Sequence, residues 1–189
     1  MPQSSPQYYL NKYHEQIVRA IKLSKRDCVE YAYVKPATGS AFQIKGMRTG
    51  VIIPKRAVYN NMFVFHTHPY YMCNSSLPRQ LYYKYISIEL GGSFSTEDVQ
   101  AARNTFSGAE ILATFIDENT ANLKGYNPLA LNNTQVAYYR LIKTIFLTEL
   151  GKAVGANYSW IKNPELIQAG EEVREFEDKY MPILETIQI

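Results

Sequence analysis

The stretch that decides the fold is Phe63-Val64-Phe65-His66-Thr67-His68-Pro69, an apolar run that ends in two histidines and a proline. Its aromatic and β-branched residues predict a buried strand, and Pro69 ends that strand because proline lacks the N–H that a sheet requires. Side chains alternate between the two faces of a strand, so His66 and His68 point the same way. Imidazole is a preferred zinc ligand, and this spacing therefore predicts part of a metal site.

Length and composition are those of one folded domain. The chain has 189 residues, of which 46% are hydrophobic and 20% charged, and its formal net charge is +3. These values exclude a disordered chain and give little support to nucleic-acid binding, which we do not expect. The sequence has no apolar run long enough for a membrane span and no signal-peptide pattern at its start. We therefore predict a cytoplasmic protein with no membrane partner, although delivery as an effector is compatible with the sequence.

Cys28 and Cys73 are the only cysteines. This number excludes a disulfide framework and a thiolate zinc cluster, and it is typical of a reducing compartment. Two interpretations of Cys73 stay open, a free buried thiol and a fourth metal ligand.

Hydrophobic spacing predicts several helices and strands around one sheet. The predicted elements are a helix over 6–26, strands over 29–34, 41–44, 51–53 and 63–69, a helix over 95–106, a hairpin of 110–116 and 121–126, and helices over 134–153 and 164–180. The tyrosine-rich residues 81–88 are compatible with a further strand. Helices and strands in this order predict an α+β fold, with a central mixed sheet in a three-layer α/β/α arrangement.

Asp98 is the best candidate for a third metal ligand. Ser95 has the character of a helix N-cap, and Asp98 falls in the first turn of the helix, where the helix dipole favours a carboxylate. A serine followed three residues later by an acid is also the pattern of an ordinary capping box. The pattern alone leaves both interpretations open.

Glu30 is the only charged residue in the apolar segment 29–34. A lone carboxylate buried on a strand is strongly destabilising, so Glu30 needs a polar partner. A water molecule activated by a nearby metal would be a suitable partner. The alternative is a strand at the edge of the sheet, with Glu30 in solvent.

These motifs together resemble those of the JAMM (MPN-type) zinc metalloproteases. The resemblance covers roughly residues 8–130 and consists of the His-Thr-His-Pro strand, the Ser-x-x-Asp helix start and an upstream glutamate on a strand after the first helix. It implies a cytidine-deaminase-like MPN architecture. It also implies that His66, His68 and Asp98 bind Zn²⁺, that Glu30 is the general base, and that Ser95 assists the oxyanion.

The family activity implied is hydrolysis of a peptide or isopeptide bond in a protein or peptide substrate, with a ubiquitin-like protein as one candidate. Residues 1–130 would then form the metalloprotease domain, and residues 131–189 would be C-terminal helices packed on it. The alternative, from a different class of protein, is a non-catalytic MPN-like scaffold that binds a partner through its tyrosines and its C-terminal helices.

One departure from the family pattern is the long spacer between the proline and the serine. Its usual members have a short spacer, whereas residues 70–94 intervene here. The long form is similar to JAMM-like domains attached to bacterial polymorphic toxins. We expect this insertion to lie beside the active site as a substrate flap or a lid.

Overall fold

The computed structural model describes residues 5–53, 61–71, 73, 76–156 and 163–189. The α-helices within these residues are α1 (Pro6–Lys12), α2 (His14–Asp27), α3 (Leu77–Leu90), α4 (Thr96–Thr105), α5 (Asn133–Gly155) and α6 (Pro164–Tyr180). The strands are β1 (Tyr31–Pro36), β2 (Phe42–Lys45), β3 (Asn61–His68), β4 (Phe106–Phe115), β5 (Thr120–Tyr126) and β6 (Ile183–Gln188). Positions 72, 74 and 75 of the predicted insertion lie outside the described residues. None of the helices described is long and apolar enough to cross a membrane.

The described strands form one mixed sheet in the order β2-β1-β3-β4-β5-β6. β3 and β4 are parallel, and the other neighbouring pairs are antiparallel. Side chains of α1 and α2 pack on one face of the sheet, and side chains of α3 to α6 pack on the other. The predicted α+β fold with three layers is therefore confirmed.

β3 carries apolar residues on one face and the histidines on the other. Phe63 and Phe65 are fully buried against α1 and α2. Val64, on the opposite face, packs with Ala102 of α4. Because side chains alternate along a strand, His66 and His68 lie on the same face as Val64 and towards α4.

Most predicted elements are confirmed, with small shifts at their ends. The predicted helix over 6–26 is two helices, α1 and α2, which are separated at Tyr13. The predicted helices over 134–153 and 164–180 are α5 and α6, and the predicted hairpin is β4 and β5. Strand β6 was not predicted, because it lies within the C-terminal segment that was expected to be helical. It pairs with β5 and forms an edge of the sheet. The predicted domain boundary at residue 130 stays a prediction.

The strand interpretation of residues 81–88 is wrong, because these residues belong to α3. Pro78 lies in the first turn of this helix, where proline is tolerated, and Gly91 ends it in the left-handed conformation with φ 65°. Tyr85 and Leu90 are buried against residues of α5 and α6. Tertiary packing of one helical face therefore outweighs the strand preference of tyrosine and isoleucine.

The predicted strand over 51–53 is also wrong. A bridge between Met47 and Gly50 turns the chain, and residues 51–53 then continue without strand pairing. Val51 and Ile53 still pack against the cluster that contains Val64. Their apolar character reflects burial against the sheet face and not a place in the sheet.

Cys28 and Cys73 form a disulfide bond, with their Cα atoms 5.4 Å apart. Both interpretations of Cys73, a free thiol and a metal ligand, are therefore wrong. Cys28 follows the last residue of α2 in the left-handed conformation, with φ 53°. The bond ties the segment after the histidine strand to the chain two residues before Glu30.

Candidate metal centre

The strand β3 and the first turn of α4 bring His66, His68 and Asp98 together. His66 and His68 are buried residues, with relative exposures of 3% and 7%. Their Nε2 atoms are 3.2 Å apart. Oδ2 of Asp98 lies 3.3 Å from Nε2 of His66 and 3.2 Å from Nε2 of His68. The three ligand atoms thus form a nearly equilateral triangle.

The size of this triangle fits a tetrahedral zinc ion. With zinc bonds of about 2.0–2.1 Å, two ligand atoms at a tetrahedral angle are about 3.3–3.4 Å apart. The edges of 3.2, 3.2 and 3.3 Å come close to this value. Among the described residues, His66, His68 and Asp98 form a group whose ligand atoms are close enough together to hold one metal ion. Two imidazoles and one carboxylate are a donor set that could hold a metal ion.

The capping-box interpretation of Ser95 and Asp98 is confirmed, and it coexists with the triangle. The backbone N–H of Asp98 donates to Oγ of Ser95 at 2.9 Å, and the backbone N–H of Ser95 donates to Oδ2 of Asp98 at 2.9 Å. The cap therefore fixes the same carboxylate oxygen that faces the two imidazoles. The serine and aspartate spacing thus supports the helix start and also orients the Asp98 carboxylate towards the two histidines.

Charge coupling at the centre is strong. Burial would lower the pKa of His66, but the negative charges of Asp98, Glu110 and Glu30 outweigh it and raise the pKa to about 9. Burial would raise the pKa of Asp98, but the two imidazoles hold it well below its ordinary value. The charges of His66 and Asp98 are thus strongly coupled.

Glu110 lies behind His66, and sequence reasoning missed it. Its Oε1 is 3.5 Å from Nδ1 of His66, the ring nitrogen that faces away from the triangle. Oε2 accepts a hydrogen bond from the hydroxyl of Tyr126 at 2.9 Å. Burial raises the pKa of Glu110 to about 8. Nδ1 of His66 is buried and makes no hydrogen bond within the described residues, so Glu110 is a neighbouring acid and not a bonded partner. An acid behind a metal-binding histidine is the usual outer partner in zinc sites.

Glu30 is buried beside the triangle. Its relative exposure is 3%, so the alternative of a solvated edge position is wrong. β1 is indeed an interior strand, between β2 and β3. Oε1 of Glu30 lies 4.0 Å from Nε2 of His68. The same oxygen accepts a hydrogen bond from the hydroxyl of Tyr70.

Tyr70 connects the general-base candidate to a ligand histidine. Its ring stacks on His68, with the ring centroids 4.8 Å apart. Burial, followed by the charge of Glu30, raises the pKa of its hydroxyl, so Tyr70 remains a donor to that carboxylate. Tyr70 is the residue after the His-Thr-His-Pro motif, and its place among sixteen tyrosines gave no signal of this contact.

A cleft of about 600 Å³ opens onto the triangle and Glu30. Tyr82, Tyr83 and Ile86 of α3, within the predicted insertion, line this cleft. Val51 and Ile53 also line the cleft. A mainly apolar cleft with a few converging polar groups is the usual form of a substrate site.

The arrangement can therefore hold a cation, present a carboxylate to a water molecule and enclose part of a substrate. No protein-family model, curated protein or solved structure matches the chain.

Proposed function

We propose that the protein is a zinc-dependent hydrolase of the JAMM type that cleaves a peptide or isopeptide bond. The observation that supports this most is the triangle of His66, His68 and Asp98, whose edges of 3.2–3.3 Å suit tetrahedral zinc. The second is Glu30, a buried carboxylate with an oxygen 4.0 Å from Nε2 of His68. A ligand set and an adjacent base are the two parts that metal-assisted hydrolysis needs.

Zinc bound to these ligands would supply Lewis-acid chemistry, which polarises a carbonyl and lowers the pKa of water to about 7. Glu30 accepts the proton from the attacking water and then donates it to the leaving amine. The hydrogen bond from Tyr70 orients the Glu30 carboxylate for this transfer. Glu110, with Oε1 3.5 Å from Nδ1 of His66, is the nearby acid that would orient this ring with Nε2 towards the cation.

Ser95 is suited to stabilise the developing oxyanion. Its Oγ accepts the hydrogen bond of the Asp98 backbone N–H, so its own hydroxyl proton can be donated into the cleft that it lines. Oriented donors of this kind contribute a few kcal/mol to transition-state stabilisation, on the order of one oxyanion-hole hydrogen bond.

The substrate is proposed to be an extended protein or peptide segment, with a ubiquitin-like protein as one candidate. The disulfide between Cys28 and Cys73 bears on the location of the chain. Such bonds persist in oxidising compartments, so it favours export, as for a delivered effector or toxin, over the cytoplasmic location that the sequence predicts.

The direct test measures metal content and hydrolysis together. Purified protein should contain one zinc per chain and should cleave a fluorescence-quenched peptide library or an isopeptide-linked ubiquitin dimer. His66→Ala and Asp98→Ala should lose both properties. His14→Ala is the matched control, since His14 is the third histidine and pairs with Glu185 at 3.2 Å, away from the cleft. A native protein that binds no metal would instead favour the non-catalytic scaffold.

A further inference from the structure

We infer that helix α5 positions the carboxylate of the metal ligand Asp98. Lys143 and Tyr139 are the two residues of α5 that make the contacts for this role. This inference rests on the metal centre proposed above. It assigns a role at the site to the C-terminal helices, which lie outside the resemblance to the JAMM family.

Lys143 and Tyr139 hold one backbone carbonyl. Nζ of Lys143 donates to the carbonyl oxygen of Phe94 at 2.8 Å, and the hydroxyl of Tyr139 donates to the same oxygen at 2.7 Å. The two residues are four positions apart on α5 and therefore lie on one face of the helix. Both are buried, with relative exposures of 3% and 0%.

The carbonyl of Phe94 and the N–H of Ser95 belong to the same peptide unit. That N–H donates to Oδ2 of Asp98 at 2.9 Å, and Oδ2 is the atom that faces the two imidazoles. Because a peptide unit is planar, fixing the direction of its C=O also fixes the direction of its N–H. Two donors on the carbonyl also polarise the unit and strengthen the hydrogen bond that the N–H makes.

Further contacts fix the rest of the segment between α3 and α4. Nζ of Lys124 donates to the carbonyl of Leu90 at 2.6 Å. Oγ of Ser93 donates to Oε2 of Glu177 at 2.9 Å and also accepts a hydrogen bond from Lys143. The chain from the end of α3 to Ser95 is thus held by β5, α5 and α6 at Leu90, Ser93 and Phe94.

Stability alone gives a weak reason for a lysine at position 143. Burial lowers the pKa of its ammonium group, and an apolar residue of similar volume often stabilises a fold at least as well as a buried charge. A donor at the end of a long side chain is, however, what reaches the Phe94 carbonyl from α5. The contact therefore fits a positioning role better than a stabilising one.

The test measures the zinc affinity of the Lys143→Met and Tyr139→Phe variants. Each metal-free variant is titrated with zinc and compared with the metal-free wild type. Loss of an outer partner typically weakens metal binding about 10–100-fold, and we expect a loss in this range for Lys143→Met and a smaller one for Tyr139→Phe. Hydrogen exchange of the Ser95 amide, measured without metal, should become faster in both. Lys152→Met and Tyr138→Phe are matched controls on α5, since Lys152 and Tyr138 are exposed; they should behave as the wild type.

The outcomes separate this inference from the proposed function. Variants that bind zinc as tightly as the wild type, with unchanged exchange at Ser95, overturn the inference and leave the hydrolase proposal intact. A lower melting temperature with an unchanged zinc affinity indicates a merely structural role and also overturns it. If Lys143→Met does not fold, Tyr139→Phe decides alone, because that change removes only a hydroxyl. A wild-type protein that binds no zinc overturns both proposals.

Discussion

Nε2 of His68 and Oε1 of Glu30 lie 4.0 Å apart at the floor of the cleft. The imidazole belongs to the metal-ligand triangle, and the carboxylate is buried with a hydrogen bond from Tyr70. A water molecule held between a cation and Glu30 would lie within reach of both groups. In the proposed mechanism, the pair therefore joins metal binding to proton transfer.

Glu30→Gln should lower kcat by about 10²–10⁴-fold, the usual contribution of a general base, because an amide cannot accept the proton. The zinc content should stay at one per chain, since Glu30 is not one of the ligands. Steady-state kinetics on a cleaved peptide would check this, with Glu15→Gln, an exposed change on α2, as the control. A fully active Glu30→Gln would remove Glu30 from the mechanism.

Tyr70→Phe should lower kcat about tenfold, which corresponds to about 1.4 kcal/mol of transition-state stabilisation. The change removes the donor that orients Glu30 and keeps the ring that stacks on His68. KM and zinc affinity should change little. Tyr71→Phe, at the adjacent tyrosine, is the control. A large loss of zinc affinity in Tyr70→Phe would contradict this division of roles.

Zinc affinity should rise with pH up to about 9. The pKa of His66 in the metal-free protein is raised to about 9, mainly by Asp98 and Glu110 against the opposing effect of burial. Below that pH, zinc must displace a proton from His66, so the apparent affinity should rise with pH and level off above it. Calorimetry in buffers of different ionisation enthalpy would measure the number of protons released for each zinc ion bound. We expect at least one at pH 7. Binding without proton release would contradict a protonated His66.

Reduction of the disulfide should destabilise the protein. Cys28 and Cys73 are separated by 45 positions, and closing a loop of this length stabilises the fold by at most about 4 kcal/mol in the chain-entropy account. Denaturant unfolding with and without a reductant would measure the loss. The Cys28→Ser, Cys73→Ser double variant should have the lower stability and no response to the reductant. Equal stability of the oxidised and reduced wild type would show that the bond contributes nothing.

The sequence predicted the parts of the site that depend on local spacing. His66 and His68 lie on one face because they are two residues apart on a strand, and Asp98 is oriented because Ser95 caps its helix. The meeting of these two elements followed from the family resemblance and not from the spacing. That the three residues lie together agrees with the sequence analysis, and that they bind zinc stays a prediction.

The residues that were missed all act through tertiary contacts. Lys143 is on a helix whose other lysine, Lys152, is exposed, and nothing local to the sequence tells the two apart. Glu110 could have been found by the signal used for Glu30, since it is also a charge next to an apolar strand run. The disulfide depends on a 5.4 Å approach of two Cα atoms that are distant in the sequence. α3 was misjudged because strand preference is weak evidence once one face of a helix is buried.

X-ray absorption at the zinc edge of the purified protein tests the central claim most directly. We predict a first shell of two imidazole nitrogens at about 2.0–2.1 Å and oxygen ligands at about 2.0–2.2 Å, lost in His66→Ala. A shell that contains sulfur at about 2.3 Å, or an unchanged shell in His66→Ala, would contradict a centre built from His66, His68 and Asp98.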